Sequence, residues 1–146
     1  MGGIHNLKLL LQNMKPKLSD ARYIFSTVSE AIYRDLEVIP LLVFREEEGM
    51  TIIVEEGEAE ANFLNYTDIW SMITLTIHSD LSAVGFIAVI TSKLAKYGIS
   101  VNVVSAYYHD HIFVPIAKGN QALQLLEEFA TYSEEELETL SKEYGP

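Results

Sequence analysis

The chain contains no cysteine, which excludes disulfides, thiolate metal ligands and a cysteine nucleophile. Positive charge is also scarce: ten Lys and Arg stand against 21 Asp and Glu, for a formal net charge of −11. A surface of that sign repels phosphate backbones and anionic lipid, so neither nucleic acid nor membrane is expected as a partner. Long apolar runs are missing too. The stretch MGGIHNLKLLLQNMK has too few consecutive apolar residues for a signal or spanning segment, and the expectation is a cytoplasmic protein in a reducing compartment. Apolar material in general is plentiful, with 49% hydrophobic and 21% charged residues. That composition buries a core and lies outside the disordered class. A length of 146 residues suits one ordinary domain, or two small ones sharing a core.

Periodicity predicts the elements. Ile4, Leu7, Leu11 and Met14 form a narrow helical stripe that Pro16 ends. Arg22 to Val28 reads as a strand, and Pro40 to Phe44 with Met50 to Glu55 as a hairpin around a five-residue turn, Arg45 to Gly49. The run from Gly57 to Asp68 reads as mostly irregular, with at most a helical turn over Glu58 to Leu64. Ile73, Leu75 and Ile77 then alternate with polar neighbours as in a half-buried strand. Ser79 and Asp80 stand as N-caps before the stripe Phe86, Val89, Ile90, Leu94 and Tyr97, and Gly98 suits a left-handed C-cap. Ser100 to Tyr108 and His111 to Ile116 read as strands joined in a hairpin at His109 and Asp110. Ala122, Leu125, Leu126 and Phe129 mark a further helix, and Ser133 with Glu136 a capping box ahead of Leu137, Leu140 and Tyr144.

The second half is therefore strand, helix, strand, strand, helix: a ferredoxin-like half-sandwich short of its last strand. The first half repeats the strand-plus-hairpin spacing with a crossover shorter by about one helix.

The stretch from His78 to Pro115 resembles the ACT domain, a small regulatory module of amino-acid metabolism. The resemblance rests on Ser79-Asp80-Leu81, Val84-Gly85, Leu94-Ala95, Gly98-Ile99-Ser100-Val101 and Val104-Ser105. The run Ser105 to Asp110 also resembles the hairpin of CASTOR-type arginine sensors, which belong to the same family of repeats. From about Leu7 to Phe129 the chain is similar to stand-alone bacterial proteins with two ACT-like halves and a recurring Tyr-Tyr-His-Asp-His hairpin. The implied fold is α+β and ferredoxin-like (βαββαβ), with tandem ACT-like halves of which the first lacks a full crossover helix. Residues 1–68 would form a degenerate N-terminal half, 69–132 the C-terminal ACT domain and 133–146 a short helical tail.

The resemblance implies binding of a free amino acid at an ACT to ACT interface, without catalysis or cofactor, in a protein that forms a homodimer or docks on a partner enzyme. The implied ligand-binding residues are Ser79, Val84, Gly85, Ala106, Tyr107, His109 and Asp110. Their chemistry is compatible. A helix start at Val84-Gly85-Phe86 offers N–H groups and a positive dipole end to a carboxylate, and Gly85 admits close approach. Asp110 can accept from an ammonium, which favours a cationic ligand. The bland alternatives are a turn-stabilising Asp110, a Gly85 that only permits close packing, and Ser79 and Asp80 acting as caps. Tyr107 and Tyr108, read as strand residues, point to opposite faces.

Other chemistry is less favoured. His109 and His111 are two apart, with Asp110 and His78 nearby, but a metal needs a third ligand that the sequence does not place. No nucleophile constellation and no phosphate-binding glycine loop is present. The acidic runs Glu46 to Glu48, Glu55 to Glu60 and Glu134 to Glu138 read as solvated surface. An RNA-recognition motif is rejected on charge and on its missing aromatic strands. The main competing function is a ligand-free dimerisation or protein-interaction module.

Overall fold

The computed structural model describes residues 3, 4 and 6–146. The chain divides into two compact units, an inserted unit of Asp20–Ser71 and a split unit made of the residues up to Ser19 together with Met72–Pro146.

In the split unit, α1 (Leu7–Gln12) is capped by the Asn6 side chain, which accepts from the Leu9 N–H. Strand β1 follows at Pro16–Leu18. The rest comes from the second half: the end of β5 (Trp70–Leu75), α4 (Phe86–Lys96), β6 (Asn102–Ser105), β7 (Asp110–Pro115), α5 (Gly119–Glu127) and α6 (Glu134–Tyr144). Strand β7 lies between β5 and β6, and β1 pairs antiparallel with the other side of β5, Pro16 opposite Leu75 and Leu18 opposite Ile73. The strand that the second half lacks is thus supplied from the start of the chain. Sequence periodicity does not reveal it, because three residues led by a proline show no alternation.

The helical stripes fall where the spacing predicts. Phe86, Val89, Ile90 and Leu94 of α4, Ala122, Leu125 and Leu126 of α5, and Leu137 of α6 are buried with Leu10, Leu11, Ile73, Leu75, Ile112 and Val114 in one core. Each of these Val, Leu, Ile and Phe side chains contributes about 1.5–3 kcal/mol by leaving water. Gly98 takes φ +70 just beyond α4, the left-handed turn that its position anticipates. Ser133 and Glu136 form the expected capping box of α6.

The inserted unit repeats the plan at smaller scale: β2 (Tyr23–Val28), α2 (Glu30–Asp35), β3 (Leu42–Glu46), β4 (Gly49–Glu55) and α3 (Glu56–Ala61). Strand β4 lies between β3 and β2, and Tyr23 of β2 pairs with Trp70. The crossover α2 is a six-residue helix, the reduced element that the shorter spacing implies. The core is correspondingly slight: Ile24, Ile52, Val54 and Ala59, with Val28, Tyr33, Val43 and Leu64 packed against them.

Several expectations are corrected. The N-terminal stripe is Leu7, Leu10, Leu11 and Met14, while Ile4 is in a bridge to Ser79 outside the helix. The β3–β4 turn consists of Glu47 and Glu48, not five residues, because Glu46 still pairs with Gly49. Glu56–Ala61 is a formed helix whose Ala59 is buried.

Candidate functional site

The site is built around the first residue of β7. Asp110 pairs in register with Ser105 of β6 and is only 7% exposed. Its Oδ2 accepts a 2.9 Å hydrogen bond from the Ser79 hydroxyl, which is equally buried. Ser79 is held by backbone bonds on either side: the Ile4 N–H donates to His78 O, and the Asp80 N–H donates to Ile4 O. Among the described residues Asp110 makes no ion pair. Its carboxylate, held by the Ser79 hydroxyl, also lines an open cleft.

Facing it is the start of α4. Gly85 is the N-cap residue at φ +93 and has no side chain with which to cap. The Val89 N–H bonds to Gly85 O at 3.0 Å, whereas the N–H groups of Phe86, Ile87 and Ala88 precede the first helical bond and carry the positive end of an 11-residue helix. Between these groups lies an open cleft of about 130 Å3, lined among others by Ser79, Ala83, Gly85, Ile87, Ser105 and Asp110. It presents the Ser79-held carboxylate of Asp110 on one side and the uncapped N–H groups of α4 on the other.

Ser79 and Asp80 do not cap α4, which begins six residues after Asp80. Ser79 is drawn to Asp110, and Asp80 takes the Ser82 N–H at 2.8 Å, as well as its hydroxyl, in a local turn. The hairpin apex is also displaced from its expected place. The Ala106 N–H bonds to His109 O, so Tyr107 and Tyr108 form the turn and Asp110 belongs to the strand. The two tyrosines are therefore not on opposite sheet faces. Both are exposed, at 63% and 62%, and their rings meet edge to face at 5.0 Å.

Of the expected ligand residues, Ser79, Gly85 and Asp110 line the cleft. Val84 and Ala106 are exposed beside it in sequence, and His109 is half-buried with its Nδ1 3.4 Å from Ile77 O. His111 lies on the other face of β7, with its Nδ1 2.9 Å from the Thr74 hydroxyl. Desolvation, and next the neighbouring His109, pull its pKa below the usual 6.5 against a small opposing effect of Asp110. Ser105 and Ile87 are lining residues that sequence reasoning does not single out. Among the described residues no group of three or more His, Asp or Glu side chains is arranged to hold a metal ion, and no helix is long and apolar enough to cross a membrane.

Two other depressions are less suited to chemistry. One, of about 220 Å3, is a mainly apolar groove at Leu11, Met14, Pro16, Leu126 and Ala130. The other, of about 480 Å3 in the inserted unit, is lined by Asp20, Glu55, Glu58 and Glu60, and its Arg22 is already paired with Glu56.

Comparison with known proteins agrees with this architecture. Residues 2–71 match one model of the ACT domain and residues 66–128 match another. A Vibrio cholerae protein of unknown function, described as a possible transport protein, has 47% sequence identity and a TM-score of 0.74 over 85% of this chain and 95% of its own. An aspartokinase alpha and beta subunit structure gives a TM-score of 0.60 at 10% identity, covering 80% of this chain and 97% of that one. The ligand-free regulatory subunit of Thermus thermophilus aspartate kinase gives 0.59 at 9% identity, covering 77% and 95%. At these identities the kinase structures speak to the fold alone. No curated protein matches the chain.

Proposed function

The chain belongs to the ACT-domain family, and from that premise we propose that it is a non-catalytic regulatory protein that binds a free amino acid in the cleft between Asp110 and the start of α4. The observation that carries this reading is the pairing of a buried carboxylate, without an ion pair among the described residues, with uncapped helix N–H groups across one small cleft. A zwitterion satisfies both at once. Its ammonium bonds to the free side of Asp110, and its carboxylate takes the N–H groups of Phe86, Ile87 and Ala88 at the positive helix end. Ser79 fixes the Asp110 rotamer, and Gly85 keeps the approach to the amides free of a Cβ.

The remaining expected contacts, Val84, Ala106, Tyr107 and His109, belong to the rim. Of these Val84, Ala106 and Tyr107 are exposed and, with Leu81 and Val103, make a largely apolar border beside β6, an edge strand of the split unit, while His109 is half-buried. Such a border suits a second copy, so that the ligand lies at a homodimer interface in a cytoplasmic protein and its occupancy biases that contact. It can do so only to the extent that it binds one arrangement more tightly than the other. The same border favours the second reading, a module that pairs subunits or docks on a partner enzyme without ligand. The net charge of −11 favours a positively charged ligand such as lysine or arginine over an acidic one.

The test is the thermal stability of the protein against each common amino acid at millimolar concentration, with its mass in solution measured alongside. One amino acid should stabilise the fold by about 2.7 kcal/mol at a hundredfold excess over Kd, so that Tm keeps rising with the logarithm of its concentration. If none does and the protein still self-associates, the pairing module is the correct reading.

A further inference from the structure

The terminal helix α6 ends against the residue that opens the cleft. A Cβ built on Gly85 would lie 2.9 Å from the Tyr144 carbonyl carbon and closer still to its oxygen. Gly85 thus separates two things: the cleft, which it lines, and the last turn of α6, which stands behind it. Tyr144 is not among the residues lining the cleft, so α6 backs the site rather than filling it.

We propose that α6 is a positioning element for the cleft: its docking behind Gly85 holds the left-handed start of α4 in the conformation that presents the helix amides, so that ligand occupancy and α6 docking reinforce one another. The inference rests on the amino-acid reading above and adds its regulation. Three observations support it. First, no side chain caps α4, and a glycine is free to take either sign of φ, so the packing of Tyr144 against Gly85 narrows that freedom to the φ +93 start. Second, α6 is lightly attached. Leu137 is its one buried residue, Leu140 and Tyr144 are partly buried, and Lys8 grips Glu134 and Glu138 at 2.8 Å each on a partly exposed surface. An 11-residue helix is marginal by itself in water, so its structure depends on this docking. Third, the negative end of α6 is placed at the positive end of α4, a favourable juxtaposition. Linkage makes the coupling reciprocal.

The Val89 N–H, bonded to Gly85 O, is a built-in reporter of this contact. Leu137→Ala should loosen α6 without touching the cleft, and Lys8→Ala does so more gently where the first variant fails to fold. Without any ligand, Val89 amide exchange should quicken about tenfold together with the exchange of α6. With the amino acid that stabilises the wild type, the variant's affinity should fall about tenfold, and that amino acid should slow α6 exchange in the wild type by a similar factor. Free exchange of α6 with unchanged exchange at Val89 would overturn the proposal, as would unchanged affinity in a folded variant. If Val89 loosens with α6 but no amino acid binds the wild type, the mechanical coupling stands and the reading of the cleft falls.

Discussion

Both units contain a strand, helix, strand, strand, helix order, yet among the described residues the proposed site falls in the split unit, and the difference comes down to a few side chains. In the inserted unit the crossover helix α2 is closed by its own cap, since Ser29 accepts from the Ile32 N–H at 3.2 Å. In the split unit the corresponding helix α4 begins at Gly85, which cannot cap. The hairpin strand opposite begins with Gly49 in the inserted unit and with buried Asp110 in the split unit. One helix start is satisfied from within by its serine cap. The other is left open and faces a carboxylate. A shared fold therefore does not carry a shared site; the cap residue and the first residue of the hairpin's second strand decide it.

The strongest way to break this contrast is to remove the carboxylate. Asp110→Ala should abolish amino-acid-dependent stabilisation, a loss of at least about a hundredfold in affinity, while the fold persists with a cost of about 1–3 kcal/mol for the stranded Ser79 hydroxyl. Paired Tm curves with and without amino acid check both halves of that statement. Next in size, Gly85→Ala gives the split unit a side chain at its helix start. The positive φ and the collision with Tyr144 should cost roughly 2 kcal/mol or more, read as a Tm drop of about 5–8 °C with faster exchange in α6.

Acid sensitivity separates the units at smaller scale, because no histidine lies within Asp20–Ser71. The folded pKa of His111 is below its ordinary 6.5, so its stabilising effect is complete above pH 6.5 and fades as the pH falls through the folded value. The wild type should lose more Tm than His111→Gln over that descent in thermal melts. The smallest effect lies in the inserted unit. Ser29→Gly should cost only a few tenths of a kcal/mol, within about 1 °C, and should create no amino-acid binding, because Gly49 supplies no carboxylate.

The sequence made the split unit readable and hid how it is completed. Regular stripes mark α4, α5 and α6, and the Ser133–Glu136 pair identifies its capping box, because local spacing determines these features. Asp110 and Gly85 stood out through their chemistry and their likeness to a known pattern. Strand β1 left no trace, since Pro16–Leu18 becomes a strand only by pairing with β5, some 57 residues away. Ser79 misled for a related reason: a Ser-Asp pair ahead of an apolar stripe is the local signature of a cap, but a partner 31 residues on, Asp110, claims the hydroxyl. The contact of Tyr144 with Gly85 is of the same kind and had no local signal.

The central claim is that a ligand's carboxylate sits on the open helix start of the split unit and nowhere in the inserted one. Backbone amide NMR during titration with the amino acid that most raises Tm tests it directly. The account predicts saturable shifts at Phe86, Ile87 and Ala88, none at Ile32, and loss of the shifts in Asp110→Ala; shifts centred on Ile32, or binding that leaves the start of α4 unmoved, would contradict it.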